Sequence, residues 1–234
     1  MARQSRVVIP GQAMHLMVRG NNREALFFGN DDRKIYLDWL HEAAKHYFSL
    51  VHAFALMPNH VHLLVTPQKE DSLARTMQSL GRRYAQYFNQ THHRSGTIWE
   101  GRYRSSLIDP TYFLRCQRYI ELNPVRAGFE SNPQDSTWTS FGTHIGGKAE
   151  PWLNDHPDFW KLGNTPFERQ MAWSAFVKDG APHWEDQQIT EALMRSKPWV
   201  SASCAKFLFQ ATPELVLMRQ RGRPKKISLI KSAT

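Results

Sequence analysis

Two histidines one residue apart, His60 and His62, sit inside Met57-Pro-Asn-His-Val-His-Leu-Leu-Val65. Val61, Leu63 and Val65 alternate with His60, His62 and Leu64, which is the period-2 pattern of a strand. Side chains two apart on a strand share a face, so both imidazoles project together, opposite the valines. Two convergent neutral imidazoles make most of a divalent-metal site. Alone, the pattern reads first as two half-exposed histidines on an ordinary strand. A second stretch downstream changes the balance.

That stretch runs from Asp109 to Gly128. Asp109 suits an N-cap and Pro110 a first helical residue, while Pro124 pushes Asn123 off helical dihedrals and ends the helix there. Tyr119 and Asn123 are one turn apart and therefore neighbours on one helix face, with Arg115 a turn earlier. Phe113 and Ile120 fall on another face, where they can pack on a sheet. A tyrosine beside an amide oxygen, facing a His-x-His strand, places a nucleophile next to a metal.

With its His-hydrophobe-His strand and a helix carrying Arg118-Tyr-Ile-Glu-Leu-Asn-Pro-Val-Arg-Ala-Gly128, the chain resembles the HUH single-tyrosine transposases. More narrowly it resembles the REP-associated tyrosine transposases of bacteria. Arg19-Gly-Asn-Asn-Arg23 after the first strand and Trp99-Glu-Gly-Arg-Tyr103 before the tyrosine helix match as well. The resemblance covers about residues 7 to 128. It implies that Asn123 completes a metal site with His60 and His62, and that Tyr119 is the nucleophile. It also implies a single-stranded DNA substrate beside an imperfect palindromic hairpin, cut near a short guide sequence. In the insertion-sequence branch the helix ligand is usually glutamine; asparagine reaches less far.

The chemistry expected from this set is phosphodiester transfer. A cation would act as a Lewis acid on the scissile phosphate. Imidazole and amide-oxygen donors with open positions suit Mg²⁺ or Mn²⁺, although residue types alone also admit zinc. A tyrosine is protonated near neutral pH and needs activation, which approach to a metal-bound phosphate supplies. In-line attack gives a 5′-phosphotyrosine and a free 3′-hydroxyl. Arg19, Arg23, Arg102, Arg104, Arg115 and Arg126 are the candidate phosphate contacts of this segment.

The elements that must hold these residues follow from patterning. Met14–Gly20 reads as a strand closed by a turn at Gly20-Asn-Asn22, and a helix from Asn30 or Asp31 buries Tyr36, Leu40, Ala43 and Tyr47. Leu50–Met57 is a second strand, joined by Pro58-Asn59 to the His-x-His strand in a hairpin that puts the latter centrally. A helix from Asp71-Ser72 to about Asn89 follows, with Leu73, Met77, Leu80, Tyr84 and Tyr87 inward. His92 and His93 sit in a polar loop and read as solvated; Thr97 to Leu107 reads as a further strand. Trp99 and Tyr103 on it serve either base stacking or ordinary cross-strand packing. His15, His46 and His52 are metal candidates by residue type alone, each without a partner at strand or helix spacing. The order predicts an α+β, ferredoxin-like antiparallel sheet with helices on one face.

Residues 1–130 would form this domain, 131–218 a helical extension, and 219–234 a basic tail. Thr165-Pro-Phe-Glu168 is a capping box opening a helix to about Val177, with shorter helices near 185–196 and 201–210. In the tail, Arg221-Gly-Arg223-Pro resembles an AT-hook, whose arginines enter narrow minor grooves; a solvated tail with non-specific phosphate attraction fits equally.

Bulk properties agree with a DNA partner. The 234 residues carry a formal charge of +9, and a pI near 9.7 favours a polyanion. Mean hydropathy is −0.55, and no run of about 18 apolar residues is present to span a membrane. The N-terminus lacks an apolar signal region, and two distant cysteines, Cys116 and Cys204, fit reduced thiols. The expected setting is bacterial cytoplasm beside the nucleoid, as monomer or homodimer. Two other functions compete: a hairpin-binding protein with vestigial chemistry, and a metal hydrolase with a water nucleophile. Intact His60, His62 and Tyr119 disfavour the first, and the lack of a carboxylate base near the strand disfavours the second.

Overall fold

The computed structural model describes residues 8–148 and 150–211; Arg221, Arg223 and the expected tail lie outside them. Four strands form one antiparallel sheet in the order β2-β3-β1-β4: β1 Met14–Arg19, β2 Ser49–Met57, β3 His60–Pro67 and β4 Arg104–Leu107. The His-x-His strand is interior, as the hairpin required. Met14, Leu16 and Val18 of β1 and Val61, Leu63 and Val65 of β3 point to one face. There they meet α1 (Asn30–His46) and α2 (Ser72–Thr91), whose Tyr36, Leu40, Leu80, Tyr84 and Phe88 are almost fully buried.

On β2 the alternation slips at His52, where the register shifts between Val51 and Ala53. This bulge lets Val51 and Phe54 face the same core. His52 is buried there, its Nε2 2.9 Å from the Thr66 hydroxyl and its Nδ1 2.6 Å from the Asn154 carbonyl.

Helices cover the second face too, beyond the one-face expectation. Ala13, Ala53, Ala55 and Leu64 make that face shallow enough for α3 (Phe113–Glu121), which packs Phe113, Cys116, Tyr119 and Ile120 onto it. The short α4 (Asn123–Arg126) follows. Asp109 caps the entry, accepting from Thr111 N at 2.9 Å. The break falls at Leu122, and Pro124 then lies in the first turn of α4, where no N–H is needed. The expected strand from Thr97 shrinks to β4 plus one bridge between Gly20 and Trp99, because Gly101 turns the chain at φ 155°.

Among the described residues beyond 130, Phe141, Phe159, Trp173 and Val177 form a small core of their own, packed against Leu114 and Leu122 at the tyrosine helix. Short α5 (Phe141–His144) and α6 (Pro157–Trp160) precede α7 (Pro166–Lys178) and α8 (His183–Met194), and Ile189, Ala192 and Trp199 join the core around α3. Thr165 and Glu168 form the expected capping box of α7. Packing runs continuously to Ser201; α9 (Ala202–Ala211) belongs to a second unit. Among the described residues no helix is long and apolar enough to cross a membrane.

One buried carboxylate ties these layers together. Glu121, fully buried on α3, accepts from Ser140 Oγ and His144 Nδ1 at 2.6 Å each and from Trp173 Nε1 at 2.9 Å. Burial alone would lower the His144 pKa, but the Glu121 carboxylate raises it above the ordinary value. His52 goes the other way, pushed down to about 4 by burial against the weaker pull of the Asn154 carbonyl. The two give opposite limbs to stability. His144 is protonated in the folded chain, so its contribution is complete below the unfolded value near 6.5 and is lost as pH rises through its raised pKa. His52 is neutral when folded, so below about 6.5 the unfolded chain takes up the proton and stability falls until about pH 4. Urea midpoints from pH 4.5 to 9 are expected to peak near neutrality. His144→Gln should lower the neutral peak and flatten the alkaline limb. An alkaline limb unchanged in that variant would show that His144 is not the group responsible.

Candidate active site

On the second face of the sheet, His60 and His62 project together, their ring centroids 5.0 Å apart. In the antiparallel register Arg19 pairs with His60 and Met17 with His62. From the layer above, α3 lowers Tyr119 onto this face, with its ring 6.0 Å from His62 and 5.6 Å from His15. The two parts of the predicted site, distant in sequence, are thus brought together.

His15, a candidate by residue type that had no partner at strand or helix spacing, finds one here in His62. Its Nε2 lies 2.8 Å from His62 Nδ1, and it is fully buried with its own Nδ1 unpartnered. His62 and His60 therefore each have one ring nitrogen occupied, His60 through the Asn59 side chain at 2.7 Å. In both rings Nε2 is the nitrogen left for a ligand. Burial lowers the His60 pKa to about 4, with Arg19 adding to the effect, and holds His62 well below the ordinary imidazole value, with His15 and His60 adding to it. Both imidazoles are neutral lone-pair donors at physiological pH.

Asn123 is buried, and its amide nitrogen donates to the Tyr119 and Ile120 carbonyls at 3.1 and 3.2 Å. Its oxygen is the atom left over. Among the described residues no three His, Cys, Asp or Glu side chains cluster for a metal. What the sheet face presents is a pair of neighbouring imidazoles, His60 and His62, whose two nitrogens would suit a cation that keeps water in its remaining positions.

The Tyr119 hydroxyl lies 3.0 Å from Thr190 Oγ1 of α8, and Thr190 donates its own proton to the Asp186 carbonyl at 2.8 Å. A carbonyl only accepts, so Tyr119 donates to Thr190. Its hydroxyl proton points at α8. Arg126 lies over the Tyr119 ring, 3.7 Å from its centre, donates to the Tyr119 carbonyl at 2.8 Å and pairs with Asp186 at 3.3 Å. The guanidinium thus rests on the electron-rich face of the ring.

The candidate phosphate contacts separate into two groups. Arg115 is 3.6 Å from Glu185, and Arg104 donates to the Met194 carbonyl at 2.6 Å, so both, like Arg126, are engaged by α8. Arg19 is 3.9 Å from Glu100, and Arg23 and Arg102 are exposed at the same end of the sheet as His60. Trp99 is no free stacking platform: it donates to the Gly81 carbonyl at 2.9 Å and packs on the core with Tyr103. Nor is His92 solvated; its Nε2 meets the buried Asp32 at 3.0 Å. The buried Arg118, 2.6 Å from Glu185, was not foreseen. It has the residue type of a phosphate contact and the burial of a structural ion.

Known proteins share this fold. The family described as transposase IS200 like matches residues 9–123, a span that contains β1, the His-x-His strand and α3. No curated protein sequence matches. A solved structure of a REP-associated tyrosine transposase bound to a REP hairpin superposes with TM-score 0.54 at 18% identity, covering 66% of this chain and 93% of that one. A putative transposase from Deinococcus radiodurans aligns at 23% identity over 51% of this chain and 96% of its own, with TM-score 0.37. The fold is shared with the REP-associated transposase structure, and residues 9–123, which carry the candidate site, match the IS200-like transposase family.

Proposed function

We propose that the protein cuts and rejoins single-stranded DNA beside a hairpin, through a covalent 5′-phosphotyrosine on Tyr119. The observation that carries this reading is the approach of Tyr119 to His62 from the opposite layer, ring to ring at 6.0 Å. His60 and His62 through Nε2, and Asn123 through its amide oxygen, would hold Mg²⁺ or Mn²⁺. When bound, such a cation supplies Lewis-acid polarisation of the scissile phosphate.

The residues of the chain do the rest. Tyr119 Oη attacks phosphorus in line, and the bond from phosphorus to the 3′-oxygen breaks. The departing oxygen ends as a 3′-hydroxyl, carrying the proton that the tyrosine gave up. Arg126 over the ring stabilises the phenolate character of the attacking oxygen. Arg19, Arg23 and Arg102 are placed to receive the phosphates flanking the cut, at the end of the sheet where His60 lies. Storing the phosphodiester on Tyr119 lets a later 3′-hydroxyl reverse the step without ATP.

The solved neighbour bound to a REP hairpin supports a hairpin substrate. A second reading, hairpin binding without chemistry, is favoured by the capping of Tyr119, which is only 7% exposed and bonded to Thr190. The test is a denaturing gel with a labelled single strand carrying a hairpin. A denaturation-resistant adduct in Mn²⁺ supports strand transfer. Binding without adduct across metals and flanking sequences leaves the binding-only reading.

The tail is tested separately. Deleting residues 219–234 is expected to weaken hairpin affinity and to flatten its salt dependence by roughly one slope unit per lost phosphate contact. Cleavage at saturating DNA should stay near wild type. Equal losses on A·T-rich and G·C-rich stems are expected of a non-specific tail, and a larger A·T loss of a minor-groove hook through Arg221 and Arg223. Unchanged affinity and slope on both stems would exclude both roles.

A further inference from the structure

We propose that Asn59 is a positioning residue that locks the tautomer of His60, and that the Arg19–Arg23 turn holds Asn59 in place to do so. The proposal rests on His60 being a metal ligand through Nε2, and its first arm is decided by hydrogen-bond logic. Asn59 Nδ2 lies 3.1 Å from the Arg23 carbonyl, and Asn59 Oδ1 lies 2.7 Å from His60 Nδ1. A carbonyl oxygen only accepts, so the amide nitrogen must face Arg23 and the amide oxygen must face His60. That oxygen also only accepts. His60 Nδ1 therefore carries the hydrogen, and Nε2 is a bare lone pair directed away from Asn59.

The His15–His62 contact has no such anchor. Both its atoms are ring nitrogens, and His15 Nδ1 has no partner to decide which one donates. Of the two histidines of the motif, only His60 has its tautomer set by an atom that cannot change role.

The turn is built around this contact. Asn22 and Arg23 both adopt left-handed φ, 51° and 60°; asparagine takes this conformation readily, whereas arginine seldom does. Gly20 admits no side chain, since a Cβ there would lie 2.2 Å from the Glu24 carbonyl oxygen. The turn is also tied to the hairpin at two backbone points. Gly20 N donates to the Asn59 carbonyl at 2.9 Å and Leu26 N to the Pro58 carbonyl at 2.8 Å. This gives Arg19-Gly-Asn-Asn-Arg23 a function separate from phosphate contact: its backbone presents the Arg23 carbonyl at the one place that orients Asn59.

Two measurements on the full chain test the proposal. The first is the ¹⁵N-resolved NMR spectrum of the His60 ring in metal-free protein at neutral pH. Wild type is expected to show hydrogen on Nδ1 alone, and Asn59→Ala a mixture of tautomers. Hydrogen on Nε2 in wild type overturns the proposal without any variant. The second is Mn²⁺ affinity by calorimetry. Asn59→Ala should weaken it by about 10–100-fold, the scale for loss of an outer-shell partner. Asn59→Asp keeps an acceptor for His60 but cannot donate to Arg23, and should recover only part of the affinity, because the turn no longer holds that acceptor in place. If both variants lose affinity alike and the tautomer stays unchanged, Asn59 acts only on the loop and the proposal fails. If His60→Ala leaves Mn²⁺ affinity intact, the metal reading fails instead, while the ring spectrum still decides the tautomer.

Discussion

Replacing Tyr119 by phenylalanine is expected to abolish the covalent DNA adduct, a loss of roughly 10³-fold or more given the scale seen when a nucleophile is removed. Hairpin affinity should stay within a few-fold. The substitution leaves the ring beneath Arg126 and against His15 and His62, and removes one hydroxyl whose only hydrogen-bond partner among the described residues is Thr190. Lost stability should be about 1 kcal/mol, the net worth of one hydrogen bond. Most other tyrosines are poor substitutes. Tyr36 and Tyr84 are buried on the far face of the sheet, Tyr84 donating to the Leu26 carbonyl, and Tyr87 donates to Asp32. An adduct surviving in the phenylalanine variant would move suspicion to Tyr103 or Tyr112 and sink the assignment of Tyr119.

Loss of either strand histidine is expected to remove most cleavage, by more than the roughly 10–100-fold that an outer-shell change costs. EDTA should do the same to wild type, and added Mn²⁺ should restore it. The two variants should differ in stability. His60 is only partly buried, so His60→Ala should melt near wild type. His62→Ala strips the fully buried His15 of its one hydrogen-bond partner, which should cost about 1–3 kcal/mol more. Asn123→Ala should be milder for cleavage, since water can take an oxygen ligand's place on Mg²⁺. Cleavage that proceeds unchanged in EDTA would mean that these imidazoles do not hold a metal.

Local periodicity made much of this legible. The alternation around His60 and His62 marked a strand with both rings on one face, and the helical spacing of Tyr119 and Asn123 placed them together. The capping box at Thr165 and Glu168 opened a helix where the pattern required. Partnerships set by register were not legible. His15 meets His62 only because β1 pairs with β3 in one antiparallel register, and a slip of one residue would turn His15 into the opposite core. The arginines show the same limit. Arg115 and Arg126 carry the residue type of phosphate contacts, but their acidic partners Glu185 and Asp186 lie on a distant helix that no local pattern ties to α3. Gly101 was visible as a glycine, yet only its left-handed φ showed that the chain turns there instead of continuing a strand. The second helical layer escaped because three small residues, Ala13, Ala53 and Ala55, create it, and alanines signal nothing alone.

The buried charges of α3 determine how short a working fragment of this protein can be. Arg118 takes its counterion from Glu185, and Glu121 takes its three donors from Ser140, His144 and Trp173. All of these lie beyond residue 130, whereas the shared family segment ends at 123. A chain cut after Gly128 would keep His60, His62, Tyr119 and Asn123, the residues of the proposed chemistry. Yet it would strip the helix that carries the tyrosine of the side chains that cover and pair Arg118 and Glu121, and expose Leu114 and Leu122, which pack on Phe141, Phe159 and Trp173. The family segment is therefore not a detachable part of this chain. It relies on the residues that follow it for the partners of the buried ions on its tyrosine helix.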